Sequence, residues 1–150
     1  MPHFNTVKFG KIQYSESDVI TFVRAILGFE DLRRYVIITR PESDPFKWLQ
    51  SLEDPNVAFV IVEPRLILDN YIVELSQHDI KQLHGSQQLN DYKIFVIMTV
   101  PKGHPEKISV NLQGPLIINI KNMKAIQMVL NNPDYDIRFS LFKNQPTVTT

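Results

Sequence analysis

Thirteen valines and seventeen isoleucines make one residue in five of this 150-residue chain a β-branched aliphatic. Two heavy atoms on Cβ crowd a helical turn but pack well on a pleated surface, so the chain is biased towards strands. The placing of these residues agrees. Ile108, Val110 and Leu112 alternate with Lys107, Ser109 and Asn111, and Tyr135, Ile137, Phe139 and Leu141 alternate with Asp136, Arg138 and Ser140. A period of two marks strands with one buried face and one wet face. The runs at 34–39, 57–62 and 92–100 are apolar on both faces, which predicts inner strands covered from two sides. Further strands are expected near 5–9, 18–23, 46–52, 71–75, 115–120 and 125–130. About ten short antiparallel strands separated by turns predict a mainly β domain, barrel-like or a sandwich.

Two prolines punctuate the pattern. Asp54-Pro55-Asn56 and Asn132-Pro133-Asp134 each place proline between Asx residues, which suits the second position of a type I turn. Each is expected to close a hairpin. One short helix is expected at 76–84, with Ser76 as its cap, Asp79 completing a capping box and Gly85 stopping it. Ile80 and Leu83 share its apolar face. Residues 1–150 read as one domain, and the tail after about 142 carries no apolar pattern and is expected to fray.

Composition narrows the function. Acidic and basic side chains balance at sixteen each, so no global field draws in a polyanion. The halves differ slightly: residues 1–75 hold 8 basic and 11 acidic side chains, residues 76–150 hold 8 and 5. The acidic excess is a candidate surface for a basic partner, although solvated charge is the commoner meaning. There is no cysteine, hence no thiolate nucleophile, cysteine-bound zinc or disulfide framework. With no signal-peptide pattern at the N-terminus and no apolar span, the chain is expected to remain in the cytoplasm.

Catalytic patterns are missing from the sequence. His3, His78, His84 and His104 have no helical or strand spacing that would frame a metal. No nucleophile elbow, P-loop or dinucleotide fingerprint occurs. Glu30-Asp31, Glu53-Asp54 and the Glu42/Asp44 pair sit in turn contexts, where acids normally form turns. The expected protein is not an enzyme and needs no cofactor or metal.

Binding candidates come from the strand at 46–52, where Phe46, Trp48, Gln50 and Leu52 share one face. Tryptophan is more often a core residue, but it is also the type most enriched at binding hot spots. Glu53, Asp54, Glu63 and Asp69 are the candidate charges, and reversing the first three, read as exposed turn acids, is expected to weaken binding of a basic partner at little cost in stability. Asn111, Gln113 and Asn119 are read on a wet face, either as ordinary amides or as hydrogen-bonding groups for a partner strand.

Four segments carry a family resemblance: LGFEDLRRYVI at 27–37, PFKWLQSLEDPNVAFVIVEP at 45–64, VNLQGPLIIN at 110–119 and AIQMVLNN at 125–132. In order and spacing, over about two-thirds of the chain, they resemble the flagellar assembly factor family, FliW. The resemblance implies a compact β-barrel and a cytoplasmic regulator with two protein partners. One is newly made flagellin, bound near its terminal helical region. The other is the carbon storage regulator, an RNA-binding repressor of flagellin translation, held when flagellin has been exported. It implies no direct nucleic-acid or membrane contact. The rival reading of the residues is a small barrel for single-stranded nucleic acid, with Lys47-Trp48 and Tyr92-Lys93 as its hints, or one for a small ligand.

Overall fold

The computed structural model describes residues 1–141. Its strands, in chain order, are β1 (His3–Thr6), β2 (Gly10–Gln13), β3 (Ile20–Arg24), β4 (Arg34–Ile38), β5 (Lys47–Ser51) and β6 (Ala58–Val62). After the helix α1 (Gln77–Gln82) come β7 (Tyr92–Thr99), β8 (Ser109–Val110), β9 (Leu116–Asn119), β10 (Lys124–Gln127) and β11 (Phe139–Ser140). Seven of them run β7-β6-β5-β4-β3-β10-β9, and a β7–β9 pairing closes the ring. Closure settles barrel over sandwich. The pairings are antiparallel except β3 with β10, which is parallel.

Strand parity sorts the side chains. Phe22, Tyr35, Leu49, Ile61, Phe95, Leu116, Ile118 and Ala125 come from all seven ring strands and pack together as the barrel interior. The opposite face of the wall is apolar too and needs covers. The β1–β2 hairpin supplies one, with Phe4, Ile12 and Tyr14 packing on Val19, Val36 and Leu52. Segments 67–83 and 128–141 supply the other, placing Tyr71, Val73, Leu83 and Tyr135 against Val62, Val96, Ile117 and Ile126. This double burial explains the both-face apolar runs.

Several sequence expectations change. Pro55 closes the β5–β6 hairpin as expected. Pro133 does not close one: it lies between β10 and β11, and β11 pairs with β8. Both edges of β10 are already taken, by β9 and β3, so no neighbouring position is left for the next strand. The strand expected at 5–9 runs instead over His3–Thr6, and residues 7–9 are the turn of the β1–β2 hairpin. Residues 71–75 keep strand-like alternation of buried and exposed side chains but pair with no strand among the described residues. The long alternating segments at 107–113 and 135–141 pair only over two residues each. The expected frayed tail lies outside the described residues.

The helix forms largely as its sequence dictates. Ser76 Oγ accepts from the Asp79 N–H while the Asp79 carboxylate accepts from the Ser76 N–H, a complete capping box. Its end is different. His84, not Gly85, takes the left-handed conformation (φ 48), and Gly85 N–H bonds to the Ile80 carbonyl in a Schellman pattern. Gly85 is needed for space: a Cβ there would lie 2.0 Å from Tyr92 Oη.

Candidate partner-binding surfaces

The marks that look most like a motif turn out to hold the wall together. From Met98↔Val110 to Phe95↔Leu116, β7 advances three residues while its partner chain advances six. Three residues are therefore looped out as a bulge between β8 and β9. Asn111 shapes it, its Oδ1 accepting from the N–H groups of Gln113 and Gly114, each at 3.0 Å. Gln127, 5 % exposed, donates from Nε2 to the Gly114 carbonyl and accepts at Oε1 from the Leu27 N–H. Asn119 is also buried, contrary to the wet-face expectation. Its Nδ2 donates to the Leu83 carbonyl at the end of α1, and its Oδ1 accepts from the Lys121 N–H.

On β5 the expected shared face of Trp48, Gln50 and Leu52 is real, and it is the outer face of the wall. Trp48 is half-buried, edge-on to Phe9 at 5.6 Å, with Lys8 Nζ 4.2 Å from its ring centroid. Arg40 lies over Phe9 in turn. Lys8 thus competes with a nucleic-acid base for the Trp48 ring, and Tyr92, the other aromatic of that rival reading, is buried. Gln50 is fully buried, its Nε2 donating to the Ser51 and Val57 carbonyls and its Oε1 unpartnered. Phe46 is half-buried and packs against the outer cluster around Val62.

The four candidate acids separate into two groups. Glu53 and Asp54 sit in the β5–β6 turn, whereas Glu63 and Asp69 lie beyond the far end of β6. Five strand residues between them span roughly 17 Å. Glu53 is also not a free charge. Its Oε1 accepts from the N–H groups of Arg33 (2.6 Å) and Arg34 (2.9 Å), anchoring the start of β4. Asp54 Oδ1 accepts from the Asn56 N–H, while Glu63 and Asp69 are exposed. The expectation that reversing Glu53 costs little stability therefore does not hold.

The Arg33 N–H holds the Glu53 carboxyl below its usual value of 4.5; slight burial opposes this, and Arg34 adds to it. A depressed folded pKa contributes stability that is present above about 4.5 and lost as pH falls through the folded value. Glu53→Gln is expected to lower the melting temperature at pH 7 by roughly 2–4 °C, about 1 kcal/mol after discounting for its exposure. It should also remove part of the acid-induced decline expected of the parent. Melting curves between pH 3 and pH 7 check both; equal curves for variant and parent would contradict the anchoring role.

Buried tyrosines have different surroundings. Burial, with a smaller push from Glu53, raises the Tyr35 hydroxyl to about 12, and among the described residues this hydroxyl has no hydrogen-bond partner. Tyr71 Oη donates to the Leu112 carbonyl at 2.6 Å, and Tyr135 Oη accepts from the Ile72 N–H. Together they tie segment 71–75 to the chain around β8 and β11. Arg24 bonds to Asp79 at 2.9 Å and to Gln82, tying α1 to β3.

Two grooves stand out that single residues in the sequence did not signal. One, about 440 Å³, lies on the flank of the barrel and is lined by Glu63, Tyr71, Ile72, Val73, Tyr92 and Ile94 among others. The second, about 360 Å³, opens at one mouth of the barrel, where Phe29, Phe59 and Ile97 meet Asn111 and Arg138. Leu27, Val129 and Ile137 stand exposed on its rim. Of the binding candidates expected from the sequence, Glu63 lines the first groove and Asn111 and Gln113 line the second. Among the described residues no His/Cys/Asp/Glu group could hold a metal, and no helix is long and apolar enough to cross a membrane.

Fold and surface together define a small closed-barrel protein with apolar grooves on its flank and at its mouth. The model of the FliW protein family matches residues 3–141. A flagellar assembly factor FliW of Thermosipho africanus is 38% identical over 138 residues, 92% of this chain and 94% of its own. That of Thermoanaerobacter pseudethanolicus is 41% identical over 140 residues, covering 93% and 92%. A crystal structure of the flagellar assembly factor FliW superposes with a TM-score of 0.85 at 29% identity, covering 96% of this chain and 99% of that one. The chain belongs to the FliW family of flagellar assembly factors.

Proposed function

We propose that residues 1–150 act as a single-domain, non-enzymatic adaptor in the cytoplasm. It binds flagellin and, when free of it, the carbon storage regulator, relieving repression of flagellin translation. Family membership across residues 3–141 carries this reading. The physical character of the chain supports it: a closed barrel with apolar grooves and separated acidic turns offers surfaces for proteins. Phe46, Trp48, Gln50 and Asn111 act in it through the wall and its bulge. Asp54, Glu63 and Asp69 are the charges available to a basic regulator.

The switch requires that the partners exclude each other. A standard interface takes about 800 Å² per partner, under a tenth of the 9347 Å² exposed here. Two separate sites would fit, so exclusion needs shared residues, steric conflict or coupling through the barrel. Titrating the regulator with and without saturating flagellin tests this. Its apparent affinity should fall at least tenfold, and linkage demands an equal reverse effect. A stable ternary complex with unchanged affinities would remove the switch.

The separation of the acids adds a finer test. Asp54→Lys, Glu63→Lys and Asp69→Lys, made singly, should show which end of β6 meets the regulator. The end in contact should lose affinity and salt dependence, while the other end shows neither. If none of the three variants changes regulator binding at low salt, these acids do not guide it.

A further inference from the structure

The barrel wall has one stretch where backbone pairing stops short. β7 is partnered along one edge by β9 at Tyr92–Phe95 and by β8 at Met98–Thr99. On its other edge β6 reaches only Val96–Met98. Continued by two residues, that register would set Pro64 opposite Ile94, and proline has no N–H to offer the ladder. The chain leaves instead through a 3-10 turn, Pro64–Leu66. Among the described residues, the outer edge of residues 92–94 is left without a strand.

Residues 71–75 form the other wall of the same flank groove. Tyr71 and Val73 point into the covering cluster while Ile72 and Glu74 are exposed, the alternation of a strand. Among the described residues, no hydrogen bond reaches the backbone N–H or C=O of Val73, Glu74 or Leu75. An extended segment with free backbone groups and an apolar face is a template for pairing. Ile94 and Ile117 contribute apolar lining between the walls. The groove runs on past Val73, Leu75 and Leu89 into a second depression of about 360 Å³, so the whole is elongated.

We propose that this groove takes an extended, net-neutral peptide segment of a partner protein, apolar at alternate positions, as an added strand. Its backbone bonds to residues 73–75 and to the open edge of β7. Three observations select this occupant. A helical segment satisfies its own backbone and would leave both edges unpaired, whereas a strand satisfies them. Glu63 and Glu74 balance Arg65 and Lys93 around the groove, so no strongly charged segment is favoured. Apolar side chains at every second position match the exposed Ile72, and Leu89 at the groove's side.

Nitrogen-15-labelled protein titrated with a synthetic nonapeptide alternating valine with serine or threonine provides the test. Two companion peptides carry N-methyl groups, one on its valines and the other on its serines and threonines. The parent peptide should give saturable shifts at residues 72–75 and 92–94, and slowed amide exchange at residues 73–75 and at Ile94, whose N–H groups are not already bonded. Methylation should weaken binding about tenfold or more, since it removes the backbone donors. Ile72→Glu, at an exposed site where the fold stands, should weaken the parent peptide comparably. The absence of saturable shifts up to the solubility limit would overturn the proposal. Binding of both methylated peptides as tightly as the parent peptide, or shifts confined to the barrel mouth, would do the same. So would a dimer in sedimentation whose residues 73–75 are already protected, because a second copy would then fill the groove.

Discussion

Replacing Phe95 by alanine is expected to lower the unfolding free energy by about 3–5 kcal/mol, and the melting temperature by roughly 10 °C. Phe95 is 1 % exposed and sits in the lumen among side chains from every ring strand. It also lies beside the closing seam, paired with Leu116 across β7 and β9. Seven strands fixed around this interior cannot easily move inward to fill a cavity, so the loss falls at the high end for its type. A conservative Phe95→Leu exchange should recover most of the loss. Chemical denaturation of both variants measures it. A loss below about 1 kcal/mol for Phe95→Ala would mean that the lumen is loosely packed.

Gly114→Ala is expected to cost about 2–3 kcal/mol, from overpacking together with lost hydrogen bonds to buried groups. A Cβ at this position would lie 2.7 Å from Asn111 Nδ2 and 2.8 Å from Gln127 Nε2. Neither amide can retreat without losing its bonds, because Asn111 braces the bulge and Gln127 links Gly114 to Leu27. The damage should concentrate at the barrel mouth. Amide exchange at Leu27 and Gly114 should accelerate well beyond the global loss, while the capped helix α1 keeps its relative protection. Uniform acceleration across the chain would contradict a local strap.

Much of the candidate surface could be read from residue types, but their roles could not. The apparent motif at 110–119 marks a bulge whose asparagine and glycine serve the backbone. Trp48 was open between core and anchor; the structure places it half-buried under Lys8 and beside Phe9, residues some forty positions away. Glu53 looked like a free turn acid until the start of β4 was brought to its carboxylate. The flank groove had no signature at all, since it depends on a ladder that ends where Pro64 meets the register of β7.

Local chemistry was enough for the elements that depend on near neighbours. Ser76 and Asp79 cap a helix across three residues, Pro55 turns a hairpin across two, and β-branched runs define strands and their buried faces. These features rest on sterics and short-range hydrogen bonds, which the chain carries wherever it goes. Tertiary structure decided which edges pair. A period of two states which side chains face inward but is silent on the neighbouring strand, and backbone hydrogen bonds are alike for every residue. Hence β3 pairs in parallel with β10, β7 closes the ring through β9, Pro133 spans a crossover, and residues 71–75 remain a strand in pattern without a partner.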